Sequence, residues 1–111
     1  MTQTTDDNGR PVASSASQAT ANEALVRDLE ITNKRGLHAR ASAKFVQTVE
    51  RFEAEISVTR NGETVGGTSI MGLMMLAAGP GSVISITARG PQAEEAMASL
   101  TDLVNDKFGE E

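Results

Sequence analysis

The chain of 111 residues has no cysteine, no tryptophan, no tyrosine and a single histidine. Without cysteine there is no disulfide, no thiolate nucleophile and no cysteine-ligated metal. One histidine rules out a two-histidine metal centre within the chain, and the expectation is no metal and no cofactor. Three phenylalanines make up the aromatic complement, too few for the stacking platforms that hold single-stranded nucleic acids. Positive charge is also scarce: ten Lys and Arg stand against fifteen Asp and Glu, a formal net charge of −5. A general nucleic-acid binder needs a basic face to displace counterions, which this balance does not supply. The apolar runs are far too short to span a bilayer. Neither nucleic acid nor membrane is an expected partner.

Hydrophobic residues are 39% of the chain, enough for the modest core of one domain. Residues 1–22 are mostly Ala, Ser, Thr and Gln, with Met1 and Val12 their only large apolar side chains. Such a segment cannot bury enough surface to offset its ordering entropy, so residues 1–23 read as a disordered tail. It lacks the basic start and apolar centre of a secretory signal, and Asp6, Asp7 and the lone Arg10 are unlike a transit peptide. The simplest location is cytoplasmic. The folded domain is expected over residues 24–111.

Within it, Leu25, Leu29 and Ile31 share one parity against Asp28, Glu30 and Thr32, the pattern of a half-buried strand that Arg27 interrupts. After Gly36, the residues Ala41, Phe45, Val46, Val49 and Phe52 recur at helical spacing. Ala54, Ile56 and Val58 then alternate with polar residues and run into Asn61-Gly62, the strongest short hairpin signal. A weak returning strand covers Glu63–Gly67. Thr68-Ser69 can cap a short helix over Ile70–Leu76, Gly79-Pro80-Gly81 is a turn, and Ile84, Ile86 and Ala88 mark a fourth strand. Pro91 suits a first helical position, Lys107 the negative end and Gly109 the stop. Ala93, Ala96, Met97, Leu100, Val104 and Phe108 form that last helix's apolar stripe. The order β-α-β-β-α-β-α predicts an α+β open-faced β-sandwich, a four-stranded antiparallel sheet covered on one face by three helices.

The chemistry converges on His38. Residues 31–49 contain Lys34, Arg35, Arg40 and Lys44 and no acid, a local positive field in an acidic chain. His38 stands where the first loop becomes the first helix. A helix start offers unpaired N–H groups and a positive dipole end, a ready phosphate seat. The same field is expected to disfavour the imidazolium form and so keep a lone pair free on the ring. Arg40 can add a planar guanidinium fork to phosphate oxygens. Phosphoryl transfer needs mainly positioning and charge stabilisation, so few groups suffice. A lone histidine at a helix start is more often a cap or a surface residue, and loop cations are usually just solvated; the residues alone leave both readings open.

The string Gly36-Leu37-His38-Ala39-Arg40-Ala41-Ser42-Ala43-Lys44-Phe45-Val46 resembles the active-site signature of the HPr family, the histidine-containing phosphocarriers of the bacterial phosphotransferase system. The likeness continues through Asn61-Gly62, Thr68-Ser69-Ile70, Ser82–Ala88 and the Gly90-Pro91 helix. It implies that His38 accepts a phosphoryl group on its pros nitrogen, Nδ1, from enzyme I charged by phosphoenolpyruvate, and passes it to a IIA-type protein. The protein would be a carrier with a phosphohistidine intermediate rather than a free-standing enzyme. Arg40 matches a phosphate-contacting arginine. Ser69 matches a serine that an HPr kinase/phosphatase modifies in some members. Ala41 replaces the usual proline, and Gln47 and Glu50 stand where sugar-type carriers often have lysine. Ile31-Thr32-Asn33-Lys34 and the Gly90–Ala96 segment look more like the nitrogen-type, regulatory branch.

The second helix is apolar nearly all round, more than a short helix on one sheet face can bury. Leu73 and Leu76 are expected inside. Ile70, Met71 and Met74 are expected partly exposed beside His38, forming with Ala39 and Lys44 a partner-docking surface that thioethers make adaptable. The alternative function is a non-catalytic regulatory protein-binding or anion-binding module of the same fold.

Overall fold

Alternating apolar and polar side chains commit a strand to burying one face, and the four strands here do so. The computed structural model describes residues 24–110; the segment 1–23, expected to be a tail, lies outside the described residues. The elements run β1 (Leu25–Glu30), α1 (Ala39–Val49), β2 (Glu55–Arg60), β3 (Glu63–Gly66), α2 (Ile70–Met75), β4 (Val83–Arg89) and α3 (Ala93–Asn105), followed by a 3-10 turn over Lys107–Gly109. The sheet order is β1-β4-β2-β3 with every neighbouring pair antiparallel. Ile86 of β4 lies opposite Arg27 on one side and Val58 on the other. β1 and β2 are therefore parallel and separated by β4, so the α1 crossover skips a strand.

Leu29, Ile56, Val58, Ile84, Ile86 and Ala88 line the buried sheet face. Phe45 and Val49 of α1, Leu73 of α2 and Ala96, Leu100 and Val104 of α3 close over it. The opposite face is mostly polar, and across it Ser85 Oγ donates to Asp28 Oδ1 at 2.5 Å. The Asn61-Gly62 turn takes the paired left-handed geometry its sequence predicts, with φ of 52° and 81°. Arg27 breaks the strand pattern for a tertiary reason: its Nη1 donates to Thr101 Oγ1 of α3 at 3.1 Å.

Three expectations shift. α1 stops at Val49, and Phe52 lies in the turn behind it with Arg51 stacked over its ring. Pro91 is not the first residue of α3. Gln92 is tied to Glu53 by its backbone N–H (3.0 Å) and its Oε1 (2.7 Å), so the helix begins at Ala93. Phe108 is not on the α3 stripe and Gly109 is not its stop. The helix ends at Asn105, and Lys107 and Phe108 both adopt φ of 57°. Left-handed backbone costs an ordinary residue roughly 1–2 kcal/mol. Burial of the Phe108 ring, 1% exposed, offsets this at about 1.5–3 kcal/mol. The Lys44 Nζ also donates to the Phe108 carbonyl at 2.7 Å.

Phe108→Ala should therefore lower unfolding free energy by about 3–5 kcal/mol in a urea titration. A loss under about 1 kcal/mol, the ordinary range of a surface change, would mean that the terminal turn does not pack as described.

Candidate functional site

The site is built by the loop joining β1 to α1. Past the end of β1, Ile31 still exchanges backbone hydrogen bonds, donating to the Ser82 carbonyl and accepting from Gly81 N–H, both at 2.8 Å. Gly36 turns the chain with φ of 64°. A Cβ there would collide with the Ala78 carbonyl oxygen and lie 2.8 Å from Gly79 Cα, so only glycine fits. Leu37 is buried and its N–H donates to Ala78 O at 3.0 Å. The next residue is thereby placed at the start of α1.

That residue is His38. It is the N-cap, with φ −78° and ψ −176°, and its carbonyl accepts from Ser42 N–H at 2.8 Å. Its ring makes no capping hydrogen bond, unlike the usual Ser, Thr or Asp at this position. The ring is half-buried and faces an open cleft lined by Lys34, Arg35, Arg40 and Lys44, together with Ala39, Gly109 and Glu110. All four cations expected around His38 line one cleft. Arg40 is exposed in the first turn of α1. Lys44 is partly committed elsewhere, because its ammonium holds the Phe108 carbonyl.

Sequence reasoning missed Glu110. Its Oε2 meets His38 Nε2, and its Oε1 accepts from Asn33 Nδ2 at 3.1 Å. Asn33 is 1% exposed and also donates to the Gly36 carbonyl at 2.9 Å. The hydrogen bond from His38 is the main cause of a lowered Glu110 pKa. The bond from Asn33 and the charges of His38 and Arg35 add to it, against partial desolvation. The segment 31–49 holds no acid, but the fold brings one into its field.

On α2, Ser69 is the N-cap and its hydroxyl accepts from Gly72 N–H at 3.0 Å. Leu73 and Leu76 are buried as expected. Ile70 (39%), Met71 (67%) and Met74 (37%) are exposed, and so is Met75 (71%), which the sequence reading left out. These side chains do not line the His38 cleft; α2 packs beside α1 and flanks it. Gln47 on α1 and its C-cap Glu50 are exposed. Among the described residues, no helix is long and apolar enough to cross a membrane.

The molecule is thus an open-faced α+β domain that presents a half-buried histidine at a helix start, facing a cleft lined by four cations. Residues 12–106 match the family model described as the PTS HPr component phosphorylation site. The phosphocarrier protein HPr of Neisseria meningitidis is 56% identical over 86 residues, covering 78% of this chain and 97% of that protein. That of Pseudomonas aeruginosa is 46% identical over 84 residues, covering 75% and 93%. The crystal structure of HPr-C-His from Thermoanaerobacter tengcongensis superposes with a TM-score of 0.75 at 45% identity, covering 78% of this chain and 98% of that one. The chain belongs to the HPr family of the phosphotransferase system.

The depressed Glu110 pKa has a direct consequence. A carboxyl whose folded pKa lies below its unfolded value stabilises the fold above the unfolded value, and that contribution is lost as pH falls through the folded one. Carbon-13 titration of the Glu110 carboxyl should give a midpoint below the ordinary 4.5. His38→Ala should raise it. A midpoint at or above 4.5 in the parent protein would remove the described contacts.

Proposed function

We propose that this protein is a phosphocarrier that accepts a phosphoryl group on Nδ1 of His38 from phosphoenolpyruvate-charged enzyme I and passes it to a IIA-type protein. Family membership supports a carrier role in the phosphotransferase system. The observation that carries the residue assignment is the His38 ring, free of capping duty, facing a cleft with Lys34, Arg35, Arg40 and Lys44. The first-turn N–H groups of α1 and these cations suit a transferring phosphoryl group, whose charge spreads over its equatorial oxygens. Arg40 contributes a guanidinium fork to those oxygens.

Docking of both partners is assigned to the exposed face of α2, through Ile70, Met71 and Met74, with Ala39 and Lys44 on the neighbouring rim. Flexible thioethers suit a surface that accepts two partners in turn. Gln47 and Glu50, where basic residues would favour an acidic partner, support the regulatory, nitrogen-type branch over the sugar-type. The folded unit of residues 24–111 is proposed to act alone in the cytoplasm, with 1–23 dispensable. Ser69 serves the fold as a cap. It is also a candidate target for an HPr kinase/phosphatase, since a phosphoserine at a helix start leaves the helix intact while charging the rim of the docking face.

Incubation with phosphoenolpyruvate and enzyme I should add one acid-labile phosphate per molecule, read by intact mass, and His38→Ala should add none. Arg40→Ala should slow labelling roughly 10- to 100-fold, the worth of a hydrogen bond to a charged group. Met71→Asp should slow it while the protein stays folded. Full labelling of His38→Ala would overturn the assignment. No labelling of the parent protein would leave an anion- or protein-binding module.

A further inference from the structure

Besides His38 and its cations, the site holds two further groups, the buried amide of Asn33 and the carboxylate of Glu110. Asn33 is held almost fully buried although its Oδ1 has no partner among the described residues, a cost of about 1–3 kcal/mol for such an atom. Its Nδ2 meanwhile serves two acceptors, the Gly36 carbonyl and Glu110 Oε1. The first bond closes the loop that presents His38. The second can be made only if the atom facing Asn33 is an acceptor, because Nδ2 only donates. Glu110 then offers its other oxygen, Oε2, to His38 Nε2.

We propose that Asn33 and Glu110 are positioning residues that set the reactive tautomer of His38: Asn33 orients the Glu110 carboxylate, and the carboxylate holds a proton on Nε2, leaving the Nδ1 lone pair free. This rests on the carrier function proposed above and adds how the ring is prepared for it. In the transfer step the Nδ1 lone pair forms the bond to phosphorus. The donor atom's bond to phosphorus breaks, and its electron pair leaves with the donor. Nε2 keeps its proton throughout, so the phosphorylated ring carries a positive charge that the adjacent carboxylate compensates. In the reverse sense, the protonated ring is the better leaving group, which eases delivery to the next protein. A carboxylate behind an imidazole that fixes the tautomer and balances the ring charge is a general device of acyl and phosphoryl chemistry.

The arrangement makes an unusual demand on Glu110→Gln. Asn33 Nδ2 still needs an acceptor, so the new amide must turn its oxygen to Asn33 and its NH2 to His38. An NH2 only donates, so Nε2 must become the acceptor and the proton must move to Nδ1, blocking the nucleophile. Glu110→Ala removes more atoms yet imposes no tautomer.

Nitrogen-15 spectra of the neutral histidine ring read the tautomer directly. The full chain should show Nε2–H, Glu110→Gln a shift toward Nδ1–H, and Glu110→Ala a mixture. Labelling by enzyme I and phosphoenolpyruvate should fall about tenfold or more in Glu110→Gln, the scale on which imidazole-orienting partners act, and less in Glu110→Ala. Adding Asn33→Ala to Glu110→Gln should release the amide and return the spectrum toward a mixture. Should that double variant fail to fold, the contrast between Gln and Ala at position 110 decides alone. An unchanged ring spectrum in Glu110→Gln, a parent ring with the proton on Nδ1, or faster labelling by Glu110→Gln would each overturn the proposal. The spectra need no phosphoryl donor. A protein with the tautomer pattern but no labelling would therefore refute the carrier reading and leave the positioning role standing.

Discussion

The buried side-chain amide of Asn33 ties together the two parts of the chain that make this site. One bond fixes the Gly36 carbonyl and with it the left-handed turn that delivers His38 to the start of α1. The other fixes the last described residue, Glu110, against the same loop. Both depend on a rigid platform. Ile31 is locked to the Gly81-Ser82 turn, and Leu37 to Ala78, so the loop is clamped between β1 and the segment leading to β4. The core beneath it is assembled from one apolar face per strand and one stripe per helix. The site is thus an outgrowth of the sheet's packing rather than a flexible attachment, which is how a few groups hold a reacting geometry.

Electrostatics divides the labour. The chain is acidic overall, yet Lys34, Arg35, Arg40 and Lys44 line the cleft into which the His38 ring faces. Positive charge is thus concentrated on that cleft, and among the described residues the acid facing the ring, Glu110, lies at Nε2. Lys44 does two things at once. It contributes to the field and anchors the terminal turn through the Phe108 carbonyl. That turn in turn carries Glu110. The uncovered apolar surface lies apart from this cleft, on α2, where Ile70, Met71, Met74 and Met75 are exposed while Leu73 and Leu76 are buried in the core.

Much of this was legible in the sequence because it is local. Strand alternation, the Asn61-Gly62 turn and the Ser69 cap are encoded within a few residues of where they act, and the structure has them there. The cluster of cations around His38 could be read for the same reason, since Lys34, Arg35, Arg40 and Lys44 all lie within six positions of it. The illegible features are tertiary. The start of α3 is moved by bonds between Gln92 and Glu53. The end of α3 is moved by the gain from burying Phe108 through two left-handed residues. Glu110 is 72 positions from His38, and no local pattern links them; Gly109, which lets the chain double back with φ of 77°, is the one hint. Arg27 looked like a flaw in a strand until its partner on α3 explained it.

The fold is proposed to prepare one particular nitrogen of one histidine. Phosphorus-31 and nitrogen-15 spectra of the phosphorylated protein, labelled at histidine, identify that nitrogen through the direct phosphorus–nitrogen coupling. Coupling to Nδ1 of His38 is expected, with Nε2 still protonated against Glu110. Coupling to Nε2, the nitrogen that the carboxylate occupies, would contradict it.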